Sequence, residues 1–217
     1  MKYKWLSFNK SDKLIVFFNG WGMDENVVSH LDTDGYDVVV LYDYNDLDLN
    51  IDLGGYSEKY VVCWSMGVMI AGVNEVKNIV DGAKSITAVC GTPYPIHDEY
   101  GIPTKIYDLT INGFNEKSSE KFVKRMFLGK DVPVVITKRS LENQKSELIK
   151  LKDYRYENNL QFDKVIVPDK DVIIPTKNQM NFWKEYNIPF TVIPSGHCPF
   201  LLYNKWAELI YNAKEFN

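Results

Sequence analysis

The 217-residue sequence predicts one α/β domain around a mostly parallel sheet, on three observations. Its apolar, β-branched runs are continuous rather than alternating, as in strands covered on both faces. Helix-compatible segments separate several of these runs, so the order reads β, α, β, α. The length suits one well-buried core and leaves little for a second domain of ordinary size.

In chain order the strand runs are KLIVFFN at 13–19, DVVVL at 37–41, KYVVCW at 59–64, SITAVC at 85–90, DKVIVP at 163–168 and FTVIP at 190–194. Residues 3–8 add an expected antiparallel edge strand. Helices are expected at 25–31, 66–80, 177–186 and 200–216. The stretch 92–159 breaks the alternation. It holds two helix-like pieces, 116–128 and 140–151, with a weak strand candidate at 133–137, and is expected to be a helical lid inserted over the sheet of a single domain spanning 1–217. There is no internal repeat and no low-complexity stretch.

Hydrophobic residues make up 45% and charged residues 25%, as in ordinary soluble globular proteins, and the 14% aromatic content argues against disorder. No stretch has signal-peptide or membrane-span character, so a cytoplasmic protein without membrane association is expected. Cys63, Cys90 and Cys198 are odd in number and far apart, which suggests buried reduced thiols rather than disulfides or a metal site. A net charge of -4 gives no reason to expect nucleic-acid binding. Local charge differs: residues 115–155 carry 11 Lys and Arg against 6 Asp and Glu. That excess fits either a solvated helix surface or a face for an acidic partner.

Four places concentrate chemistry. Cys63-Trp64-Ser65-Met66-Gly67 lies where a strand run meets a helix-compatible segment, the context of a nucleophile elbow, with Cys63 where G-x-S-x-G carries its first glycine. Phe18-Asn19-Gly20-Trp21-Gly22-Met23-Asp24 follows the early strand. In such folds this loop gives one oxyanion-hole amide and the residue after the nucleophile gives the other, making Trp21 and Met66 the backbone donors. An ordinary turn before a helix capped by Asp24 fits the same residues. Pro168-Asp169-Lys170-Asp171 ends a late strand where a triad acid belongs; Asp171, followed by an apolar stretch and proline, is favoured, and Asp169 remains a turn candidate. Ser195-Gly196-His197 follows the last strand. His30 and His97 lack such a position, so His197 is the base candidate. The order Ser65, Asp171, His197 is that of α/β hydrolases.

The segments FFNGWGMD at 17–24, WSMG at 64–67 and GHCPF at 196–200 together resemble the BioG-type pimeloyl-[acyl-carrier protein] methyl ester esterases of biotin synthesis, the F-x-G-W-G loop being the most specific part. The resemblance implies an α/β-hydrolase fold and a serine carboxylesterase that releases methanol from the methyl ester of a carrier-bound pimeloyl chain. It implies no cofactor, Ser65 as nucleophile, His197 as base and Asp171 as its orienter. Trp21, Trp64, Phe127 and Tyr94 are candidates to line an acyl slot, Trp21 foremost. An acidic acyl-carrier protein would suit the basic stretch, with Lys121, Lys124, Arg125, Lys138 and Arg139 as contact candidates. A general carboxylesterase or thioesterase would keep the triad and differ in the pocket, whereas a noncatalytic hydrolase-like binding module would be betrayed by a missing triad residue.

Overall fold

The computed structural model describes residues 1–130 and 136–211. Seven strands form one sheet: β1 (Lys2–Ser7), β2 (Lys13–Phe18), β3 (Asp37–Tyr42), β4 (Glu58–Trp64), β5 (Ser85–Val89), β6 (Lys164–Pro168) and β7 (Thr191–Ile193). Their order is β1-β3-β2-β4-β5-β6-β7, with β1 antiparallel to β3 and every other neighbour pair parallel. This is the mostly parallel sheet expected from the continuous apolar runs.

Burial on both faces explains those runs. Along β2, Leu14, Val16 and Phe18 enter one apolar layer while Ile15 and Phe17 enter the other; along β4, Val61 and Cys63 oppose Tyr60, Val62 and Trp64. Each such apolar side chain contributes about 1.5–3 kcal/mol on full burial, and a buried polar residue such as Thr87 on β5 is accommodated by a hydrogen bond, here to the Leu209 carbonyl.

Among the described residues the helices are α1 (Gly67–Ile70), α2 (Lys77–Val80), α3 (Thr104–Asn112), α4 (Glu116–Met126), α5 (Leu141–Lys150), α6 (Thr176–Glu185) and α7 (Trp206–Ile210). The helix expected at 66–80 is instead α1 and α2 joined by a 3-10 turn. It breaks where Gly72 lies against the Tyr156 ring, which a Cβ there would meet at 2.1 Å, and where the Gly72 carbonyl accepts from Glu157 and Asn158. At 25–31 only Glu25–Val27 is helical, as a 3-10 turn. At 200–216 a 3-10 turn, Phe200–Leu202, precedes α7, and 212–217 lie outside the described residues. The strand candidate at 133–137 falls mostly outside them too; Ile136 and Thr137 are not in a strand.

Between β5 and β6 run α3, α4 and α5, of which α3 was not foreseen from the sequence. Its apolar residues do not mark one inward stripe: Ile106 and Leu109 are about half exposed, and Tyr107 alone is buried. No helix among the described residues is long and apolar enough to cross a membrane.

Candidate active site

The site forms at the carboxyl ends of the parallel strands, where loops after β2, β4, β6 and β7 converge. Ser65 stands between β4 and α1 with φ of 57°, the left-handed conformation of a sharp strand-to-helix turn. The turn is possible because Gly67 and Gly91, which pack closely around it, carry no side chain. A Cβ on Gly67 would sit 2.2 Å from the Phe18 carbonyl oxygen, and one on Gly91 would sit 2.6 Å from that of Ser65. Cys63 tolerates a side chain because it points into the apolar layer, flanked on the sheet by Phe18 and the small Ala88. Burial pushes its thiol pKa far up, so it is a packing residue rather than a reactive one.

His197 joins the ends of the array. Its Nε2 is 2.8 Å from Ser65 Oγ, and its Nδ1 is 2.7 Å from Asp171 Oδ2. With Nδ1–H donating to the carboxylate, Nε2 is left to accept the serine proton. Asp171 is itself fixed: Oδ1 accepts from the Ile173 and Ile174 amides, and Oδ2 from Gln179 Nε2 on α6. Between the two competing aspartates the geometry selects Asp171. Asp169 instead accepts from the Ser195 amide and holds the turn before the histidine loop. Trp64 has a role the sequence did not signal, donating from Nε1 to the His197 carbonyl at 2.9 Å. The same loop abuts α4, where the Cys198 amide donates to the Met126 carbonyl.

Two backbone donors, those of Trp21 and Met66, border the cavity at the serine. Neither N–H has a hydrogen-bond partner among the described residues. That cavity, about 600 Å³ with its open mouth, is walled mainly by Trp21, Ile106, Phe122, Met126, Leu148 and Ile173. Trp21 is locked there by its indole N–H, which donates to the Gln144 carbonyl, and by edge contacts with Phe114 and Phe122. The arrangement offers a nucleophile, a proton carrier, two free amides and an apolar slot, the requirements of acyl transfer.

The other candidates divide. Trp64 borders the cavity, whereas Tyr94 and Phe127 do not. Arg125 stands at the cavity wall, and Lys121, Lys124 and Lys138 are exposed. Arg139 is a correction: its side chain is only 5% exposed and is paired with Glu147 and Asp43, so it has no free face for a partner. His30 lies elsewhere, bonded to the Phe200 carbonyl, and His97 stacks on Tyr100. The three cysteines are buried and unpaired. Among the described residues no cluster of three His, Cys, Asp or Glu side chains is placed to bind a metal.

The structure aligns with BioG from Haemophilus influenzae at a TM-score of 0.85 and 29% identity, covering 97% of this chain and 100% of the other. An esterase from Exiguobacterium antarcticum shares the fold at 17% identity, with a TM-score of 0.64 over 92% of this chain and 89% of the other. A Bacteroides fragilis protein named malonyl-[acyl-carrier protein] O-methyltransferase is 35% identical over 185 residues, 79% of this chain. A Haemophilus influenzae sequence is 37% identical over 129 residues, 58% of this chain. The chain spans 36% and 57%, respectively, of the lengths of these two curated relatives. The sequence profile of the family described as pimeloyl-ACP methyl esterase BioG matches residues 1–209, and with the α/β-hydrolase fold in place the chain belongs to that family.

Proposed function

We propose that this protein is a cytoplasmic serine carboxylesterase that hydrolyses the methyl ester of a pimeloyl chain carried on acyl-carrier protein. The observation that carries the reading is the Ser65–His197–Asp171 relay, with contacts of 2.8 and 2.7 Å, set beside two unpartnered amides at an apolar slot. The descriptions of the family and of the Bacteroides fragilis relative support the substrate class, since one concerns removing and the other adding a methyl group on carrier-bound acyl chains.

In this mechanism Ser65 Oγ attacks the ester carbonyl as His197 Nε2 takes its proton. The Trp21 and Met66 amides hold the oxyanion, and Asp171 stabilises the imidazolium. The carbon–oxygen bond to the methoxy group then breaks, and Nε2–H protonates it to methanol. Water attacks the acyl-serine, again through His197, to release the free carboxylate and restore Ser65. The alkyl chain lies along Trp21, Phe122 and Met126, which exclude water from it. The 92–159 insertion serves as the cover of this site within a single domain. Lys121, Lys124 and Arg125 on α4, with Lys138, supply the positive face for the acidic carrier.

The test is to incubate the protein and its Ser65→Ala variant with methyl pimeloyl-carrier protein and follow intact mass. Loss of one methyl group with wild type and none with the variant is expected. An untouched ester, with cleavage of short synthetic esters, would leave a general esterase and remove the carrier-bound substrate.

A further inference from the structure

The loop after β2 presents three successive backbone amides, and only the middle one is open. The Gly20 N–H donates to Asn19 Oδ1 at 2.9 Å and the Gly22 N–H to Glu147 Oε2 at 2.9 Å, while that of Trp21 has no partner among the described residues. We propose that Glu147 and Arg139 are positioning residues that aim the Trp21 amide at the oxyanion, an inference resting on Ser65 being the nucleophile.

Glu147 is fully buried on α5, remote in sequence from the loop it holds. Its Oε1 accepts from the Tyr44 amide just beyond β3 at 2.8 Å, and its Oε2 accepts from both Gly22 N–H and Arg139 Nη1, the latter at 2.8 Å. Arg139 closes the circuit by donating from Nη1 to the Met23 carbonyl at 3.2 Å and from Nε to Asn143 Oδ1 at 2.8 Å. Its Nη2 lies 3.1 Å from Asp43 Oδ1. The loop is thus tied residue by residue to one segment: Trp21 to the Gln144 carbonyl, Gly22 to Glu147, Met23 to Arg139, and Asp24 Oδ2 to the Lys138 amide at 2.6 Å.

Two features separate this from ordinary packing. A buried ion pair adds little net stability over an apolar filling, yet it can fix geometry through directed bonds, and here both Glu147 oxygens and Arg139 Nε and Nη1 are engaged, while Nη2 meets Asp43 at ion-pair distance without an aligned hydrogen bond. Here the bond to Gly22 sets the peptide plane directly after Trp21, and Gly22 itself has φ of 75°. In addition, Glu147 bonds the amide of the residue next to Trp21, and a bare carboxylate there would oppose an oxyanion on the Trp21 N–H unless a cation offset its charge, which Arg139 supplies. Burial pushes the Glu147 carboxyl pKa up, and Arg139 with the Tyr44 and Gly22 amides opposes that rise.

Glu147→Gln tests the assignment, because an amide has one oxygen for donors that now share two. Wild type, Glu147→Gln and Ser65→Ala are assayed on p-nitrophenyl acetate. Active sites are counted by exhaustive fluorophosphonate labelling, folding is followed by thermal melting, and inhibition by phenylboronic acid is measured alongside. Glu147→Gln should lower kcat per labelled site by about 10- to 100-fold, less than the loss for deleting an oxyanion donor, with KM changed by less than about twofold. Boronate affinity should fall in step. A lower melting temperature with unchanged kcat per labelled site would overturn the proposal. If Glu147→Gln yields no folded protein, Arg139→Lys supplies the same comparison: it keeps a charge beside Glu147 but loses the forked contacts to Met23 and Asn143, and wild-type kcat per labelled site would again overturn it. Undiminished activity in Ser65→Ala would instead overturn the nucleophile, a separable failure.

Discussion

Ser65, Asp171 and His197 were legible as single residues because each sits just beyond an apolar strand run, and strand ends are where this architecture places chemistry. The choice between Asp171 and Asp169 was only weighted by sequence; it rests on which carboxylate reaches His197 Nδ1. Trp64 and Arg139 show what a sequence withholds. Trp64 acts through its N–H on a backbone carbonyl 133 positions away, and no residue pattern encodes a carbonyl partner. Arg139 sits in a lysine-rich stretch that reads as surface, yet its counter-charges come from Asp43 after β3 and Glu147 on α5. Trp64→Phe keeps an aromatic ring but removes the N–H donor and part of the buried ring volume, stranding the His197 carbonyl. It should cost at least about 1–3 kcal/mol of stability by denaturant titration and lower kcat on acetate and long-chain esters alike, because the His197 loop is loosened whatever the acyl chain, with any change in the adjoining slot read separately in KM. A change confined to KM would contradict this role.

At the scale of elements, uninterrupted apolar runs were readable and short or mixed stretches were not. The central strands announced themselves because both faces are buried. By contrast, α3 hides behind an outward Ile106 and Leu109, and the crossover after Ser65 fragments because Tyr156 occupies the space at Gly72. The start of α4 is marked locally: Asn115 Oδ1 accepts from the Ser118 amide, and Ser118 Oγ accepts from that of Asn115. Asn115→Ala should therefore cost about 1 kcal/mol and lower Tm by about 2–4 °C. Because α4 brings Phe122, Arg125 and Met126 to the cavity, the same variant should raise KM for long-chain methyl esters more than for an acetate ester. Equal effects on both would mean that α4 does not order the slot.

Over the whole molecule, charge is divided rather than uniform. The chain is net acidic at -4, but 115–155 is basic, and that stretch includes α4 and α5 beside the cavity mouth. Burial of Arg139 with Glu147 removes one cation and one anion of this stretch together, so its positive excess is unchanged, and the α4 lysines and Arg125 are the exposed cations nearest the cavity. Charges of this kind act mostly on encounter, and screening at physiological ionic strength confines them to about 8 Å. If they steer an acidic carrier, kcat/KM for carrier-bound methyl ester should fall steeply as salt rises from about 0.05 to 0.5 M, while kcat/KM for an uncharged small ester stays flat. Lys121→Glu combined with Lys124→Glu should reproduce the high-salt value for the carrier substrate already at low salt, with no loss on the small ester. A parallel decline on both substrates would assign these lysines to the solvated helix surface that their sequence pattern equally allowed.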